Sequence, residues 1–230
     1  PGWAVRDQVA HLAFFDDQAR LAIEDPAGFE AVREAANALG PAFEQEYLAR
    51  GRAMTPAELY RWWRESSRGL TEAAGRLTGS ERLPWFGPSM GAASFVTARL
   101  METWSHGLDI VDVVPYERPD TERLRHVAEL GVRTRAYSYA VRGRTPPEAP
   151  VRVELVSPGG ARWVFGPAEA ANVIRGSATD FCRVVTQRRH LADTDLEVLG
   201  PAALEWMEIA QAFAGPPGPG RRPGEFPKEE

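Results

Sequence analysis

A chain of 230 residues with 43% hydrophobic content has apolar material for one large domain or two small ones. Its net charge of -5 argues against a nucleic-acid partner, which needs clustered Lys and Arg to displace counterions. No apolar run approaches the roughly 20 residues that span a bilayer, and Pro1-Gly2-Trp3 leads into charged residues rather than a signal peptide.

The first three-fifths reads as helix. From Val5 to Ile23 the apolar positions Val5, Val9, Leu12, Phe15 and Ala19 recur at three- and four-residue spacing. A weaker stretch runs from about Pro26 to Leu48, broken at Gly40-Pro41. Thr55-Pro56-Ala57-Glu58 is a capping box with Pro at the first helical position, so a helix starts there and reaches about Gly79. Pro84-Trp85-Phe86-Gly87-Pro88 is a rigid aromatic loop. One helix follows from about Ala92 to Val113, and another from Asp120 to about Val141. The pattern then changes at Arg142–Pro147, a linker composition. Val151–Val156 and Ala161–Phe165 alternate around Ser157-Pro158-Gly159-Gly160, which predicts a hairpin. A helix over Ser177–Arg188, a strand over Leu196–Leu199 and a helix from Pro201 to about Phe213 complete the ordered part. The Pro- and Gly-rich tail, 216–230, reads as disordered. Cys182 lies in the apolar stretch Phe181–Val185 and reads as a core residue. A lone cysteine cannot form an internal disulfide, which fits a reducing cytoplasm.

Glu102 and His106 stand at i and i+4 on one helix, so their side chains share a face and can converge on one ion. Alone, that spacing is a weak signal. His11 beside Val9 and Leu12 reads equally as a core or boundary group, and His126 and His190, next to arginines, read as solvated.

Two longer stretches bring these residues together. Gly2–Leu12 contains W-x-V-x-D-x-x-x-H-L, and Ala98–Asp109 contains R-x-x-E-x-x-x-H-x-x-D. Both patterns resemble the DinB-like metal-binding superfamily and, within it, the mycothiol-dependent maleylpyruvate isomerase family and its actinobacterial relatives. The resemblance implies an α+β chain: a DinB-like helical bundle over 1–116, then a smaller sterol-carrier-like α+β domain over 120–215. The family's bundle has a further helix upstream of the first His motif, so the chain is expected to begin part-way through it. The resemblance makes His11, Glu102 and His106 the metal ligands. Asp109 either orients a ligand or is a surface charge, and Arg99 either pairs with Glu102 or is solvated. Arg188, with Arg189 in reserve, is the candidate for binding substrate carboxylates, against the alternative of a solvated helix end. The C-terminal segment also resembles a region sometimes labelled for wyosine base formation, a reading that the acidic balance does not favour.

Two histidines and a carboxylate leave at least one position open on an ion, the mark of a catalytic site. Zinc is the expected divalent metal, although nickel, iron and manganese use the same donors. In the resembled isomerases a mycothiol thiolate adds to the activated double bond of a dicarboxylate. The adduct rotates and expels the thiol, giving the trans isomer. The expected function is a metal- and mycothiol-dependent isomerase or thiol transferase acting on a small electrophilic, anionic substrate. The alternatives are a metal-dependent hydrolase using bound water and a metal- or ligand-binding protein without turnover. Monomer and homodimer are both open.

Overall fold

A computed structural model of the chain describes residues 2–226. Pro1 and residues 227–230, the end of the expected disordered tail, lie outside the described residues. The chain is α+β: an N-terminal helical region is followed by a sheet-containing region. It divides into two compact units, Pro1–Pro115 and Tyr116–Glu230.

The first unit is built around α1 (Val5–Glu24). Ala10, Ala13, Asp16, Ala19 and Ala22 are buried at three-residue intervals, and small side chains on this stripe let other helices approach closely. Against α1 pack α2 (Pro26–Leu39), α3 (Ala42–Ala53), α4 (Pro56–Ala74) and α5 (Ala92–Val111). Gly51 shows how near α3 comes, since a Cβ there would lie 2.4 Å from the Cβ of Ala10. The expected capping box opens α4. The Glu58 carboxylate accepts from the Thr55 N–H at 2.8 Å, and the Thr55 hydroxyl accepts from the Glu58 N–H at 3.3 Å. This helix ends five residues earlier than Gly79, at Ala74.

A short antiparallel pair that the sequence reading did not include, β1 (Arg82–Leu83) and β2 (Met90–Gly91), frames the aromatic loop and leads directly into α5. Trp85 at its tip is buried and stacks on Phe29 of α2 at 5.6 Å, while Phe95 of α5 meets its edge at 5.1 Å. These contacts fix the start of α5, and through its rigid backbone the turns that carry Glu102 and His106.

In the second unit, α6 (Leu124–Arg133) and α7 (Arg135–Ala140) replace the single helix expected to Val141. The Thr134 hydroxyl donates back to the Leu130 and Gly131 carbonyls, at 2.9 and 3.0 Å, where the chain leaves the helix. The sheet has the order β4-β3-β5-β6, from β3 (Val151–Val156), β4 (Arg162–Phe165), β5 (Asn172–Ser177) and β6 (Glu197–Leu199). β3 and β4 form the expected antiparallel hairpin. β5, not anticipated, runs parallel to β3 on its other side. Ser177 then caps α8 (Ala178–Val185), and α9 (Pro201–Ile209) packs on β5 and β6. Cys182 is fully buried, as expected of a core residue. Among the described residues after Gly215 there is no helix or strand, yet the Gly224 N–H donates to Asp193 at 2.7 Å. No helix among the described residues is long and apolar enough to cross a membrane.

Candidate metal centre

The site forms where α1 meets α5. His11 lies one residue past buried Ala10, at the edge of the alanine stripe. Gln8, three residues earlier, and Phe15, four residues later, share its side of the helix. On α5, Glu102, His106 and Asp109 recur at four- and three-residue spacing and face α1 together. His106 is buried, and His11 and Glu102 are 15% and 20% exposed at their side chains. The carboxylate Oε2 of Glu102 lies 3.1 Å from His106 Nε2 and 3.7 Å from His11 Nε2. One donor atom from each of these three residues lies within 4.8 Å of the others, which fits the donor set for a divalent ion.

The outer ring nitrogens sharpen that fit. His106 Nδ1 is 2.5 Å from the amide oxygen of Gln8, an acceptor only, so this nitrogen carries a proton. Asp109 adds a second oxygen 3.4 Å from the same Nδ1. His106 Nε2 then faces Glu102 Oε2 with a lone pair unless the ring is fully protonated. Either a second proton or a cation belongs between them. His11 Nδ1 is 3.2 Å from the Tyr47 hydroxyl, which leaves its Nε2 on the Glu102 side. The histidine rings are packed by Phe15, 4.6 Å from His11, and by Trp3, which is 5.3 Å from His11 and stacks near His106 at 6.0 Å.

Electrostatics favours the protonation states that bind metal. Burial pushes the His11 imidazole down to about 4, against the upward pull of its hydrogen bond to Glu102. Burial alone would raise the Glu102 carboxyl, but hydrogen bonds from His106 and His11 hold it well below the usual carboxylate range. Near neutral pH, His11 is therefore a neutral imidazole and Glu102 an anion.

Other residues singled out in the sequence have different surroundings. Arg99 neither pairs with Glu102 nor faces solvent. It is buried, and its guanidinium donates to Asp16 of α1 at 2.9 and 3.2 Å, because Asp16 is the carboxylate that the alanine stripe turns toward it. Burial raises the Asp16 carboxyl and the Arg99 charge opposes that rise. Asp7 of the first motif accepts from the Ala4 N–H at 2.9 Å and pairs with Arg52 of α3 at 2.8 Å, so it anchors the start of α1.

Arg188 and Arg189 lie past the end of α8, in the second unit, after Gln187 at φ 58°. Arg188 donates to the Thr186 carbonyl at 2.8 Å. Arg189 lines a cavity of about 250 Å³ together with Arg142, His190 and Arg221. His126 is exposed, whereas His190 is half-buried and accepts from the Ala192 N–H at 3.0 Å.

Gln8 and Tyr47 are the site residues that the sequence reading missed. Gln8 was findable from its three-residue spacing to His11. Tyr47 sits on another helix, 36 residues from His11, and only the tertiary fold brings it in.

Residues 1–111, which contain all of this site, match the mycothiol maleylpyruvate isomerase N-terminal domain. The chain belongs to this family. It is 48% identical over 221 residues to uncharacterized proteins of Mycobacterium tuberculosis strains CDC 1551 and H37Rv, covering 96% of this chain and 86% of each relative. No solved structure matches it.

Proposed function

We propose that this family member is a divalent-metal- and mycothiol-dependent enzyme, an isomerase or a thiol transferase acting on a small, electrophilic, anionic substrate. The observation that carries this reading is the convergence of His11, Glu102 and His106 inside the stretch that matches the mycothiol family. Zinc suits this donor set, and a divalent ion there would hold a thiol as its nucleophilic thiolate. The chain's own part is to keep His11 neutral and Glu102 ionised, to set the ring orientations, and to bury the donors so that solvent competes poorly. The first unit is read as a DinB-like bundle and the second as a sterol-carrier-like domain. Arg188 or Arg189 is assigned to the substrate's anionic group.

The test begins with metal content. The purified protein should hold about one divalent ion, and His106→Ala should lose it while the helical circular dichroism signal persists. Unchanged metal in that variant would sink the site assignment. Turnover of maleylpyruvate or of an epoxide is then measured with and without mycothiol. Thiol-dependent turnover supports the proposal, turnover with water alone makes the chain a hydrolase, and metal binding without turnover makes it a binding protein.

A further inference from the structure

Three donors can be brought near one another and still bind metal poorly, because each histidine offers its Nε2 lone pair only in one tautomer. The geometry points to Gln8 and Tyr47 as the positioning residues that set both tautomers, an inference that rests on the metal-site reading above. The two hydrogen bonds are of different kinds. The Gln8 amide oxygen can only accept, so at 2.5 Å it requires a proton on His106 Nδ1 and commits Nε2 to the interior of the site. The Tyr47 hydroxyl can donate or accept, so at 3.2 Å it permits either His11 tautomer. Metal bound through His11 Nε2 requires Nδ1 to be protonated, which makes Tyr47 the acceptor.

Once Tyr47 accepts from His11, its own O–H has no acceptor among the described residues. Tyr47 is 6% exposed, and its rings of contact, Phe14 at 4.7 Å and Phe43 at 6.0 Å, are apolar. The packing also fixes where Tyr47 can reach: α3 is locked against α1 by the Gly51–Ala10 approach, one helical turn beyond Tyr47.

Gln8→Leu and Gln8→Glu, with Tyr47→Phe, separate this role from packing. Leucine removes the acceptor at similar volume, glutamate restores one, and phenylalanine removes only the hydroxyl. The readouts are the dissociation constant for Zn²⁺ by chelator competition, the visible absorption spectrum of the Co²⁺-loaded protein, and melting of the metal-free protein. Gln8→Leu should weaken Zn²⁺ about 10- to 100-fold, the range for losing an outer hydrogen bond to a ligating histidine. Tyr47→Phe should weaken it about 10-fold, both should alter the Co²⁺ spectrum, and Gln8→Glu should restore wild-type affinity. If Gln8→Leu and Tyr47→Phe bind Zn²⁺ like wild type, or lose affinity only in step with lost folding of the metal-free protein, the positioning role is wrong. Should Gln8→Leu not fold, Tyr47→Phe and Gln8→Glu still decide the matter through affinity and spectrum. Failure of the underlying reading looks different: the wild-type protein itself would then bind no Zn²⁺, or His106→Ala would bind it equally well.

Discussion

His11 connects protonation to stability at the scale of a single side chain. Its folded imidazole titrates at about 4, whereas the same group in the unfolded chain titrates near 6.5. Below 6.5 the unfolded state takes up a proton that the folded state refuses, so stability falls with pH through that window. At about 1.4 kcal/mol per pH unit, the metal-free protein should lose on the order of 3 kcal/mol from this residue between pH 6.5 and 4. The Glu102 carboxyl, held well below 4.5, acts in the same direction at lower pH: its stabilisation is present above that value and is lost on acidification. Urea unfolding of chelator-treated protein across pH 7 to about 4.5 checks this, with His11→Gln as the control. The variant should show a visibly shallower loss; identical slopes would remove His11 as the cause. Protons and metal compete for the same donors, so Zn²⁺ occupancy should fall over the same range.

Between elements, the ion pair of Asp16 and Arg99 ties α1 to α5 near the proposed metal ligands. Both side chains are nearly sealed from water, at 3% and 7% exposed. Removing one partner strands the other as a buried charge, which typically costs 3–5 kcal/mol, whereas replacing both with apolar groups costs far less. Arg99→Met should therefore destabilise the protein by about 3 kcal/mol or more in chemical denaturation. The double variant Asp16→Leu/Arg99→Met should recover much of that loss. If it is less stable than Arg99→Met alone, the pair is a net source of stability and the expectation fails. The sequence made this pair hard to see. Arg99 stands three residues before Glu102, so local spacing nominated the wrong carboxylate, and the right one is 83 residues away. The same limit applies to the other elements. Helix starts with local chemistry, such as Thr55-Pro56-Ala57-Glu58, were legible because the cap is made by neighbours in sequence. β5 was not, because Asn172–Ser177 has only Val173 and Ile174 as an apolar core and takes its strand conformation from pairing with β3 and β6. Thr134 offered only an ordinary helical residue by composition, and its back-bonding hydroxyl is visible only in three dimensions.

Across the whole molecule, the residues assigned to the proposed chemistry fall in both units. His11, Glu102, His106, Gln8 and Tyr47 all fall within the first, while Arg188 and Arg189 fall within the second. Metal binding and anion binding should then be separable by mutation. Arg188→Ala and Arg189→Ala should each leave the bound Zn²⁺ unchanged by elemental analysis. Their effects on turnover should differ. Each arginine has a guanidinium nitrogen on a backbone carbonyl, Arg188 on Thr186 and Arg189 on Arg188, both at 2.8 Å, but Arg189 also borders a cavity of about 250 Å³ beside Arg142 and Arg221. In an assay with an anionic substrate, Arg189→Ala should raise KM several-fold, and more than Arg188→Ala does, with little change in kcat. A larger effect at Arg188 would return the assignment to the residue that the sequence pattern first nominated. Wild-type kinetics in both variants would place substrate recognition on other side chains and leave the metal centre as the whole of the assigned chemistry.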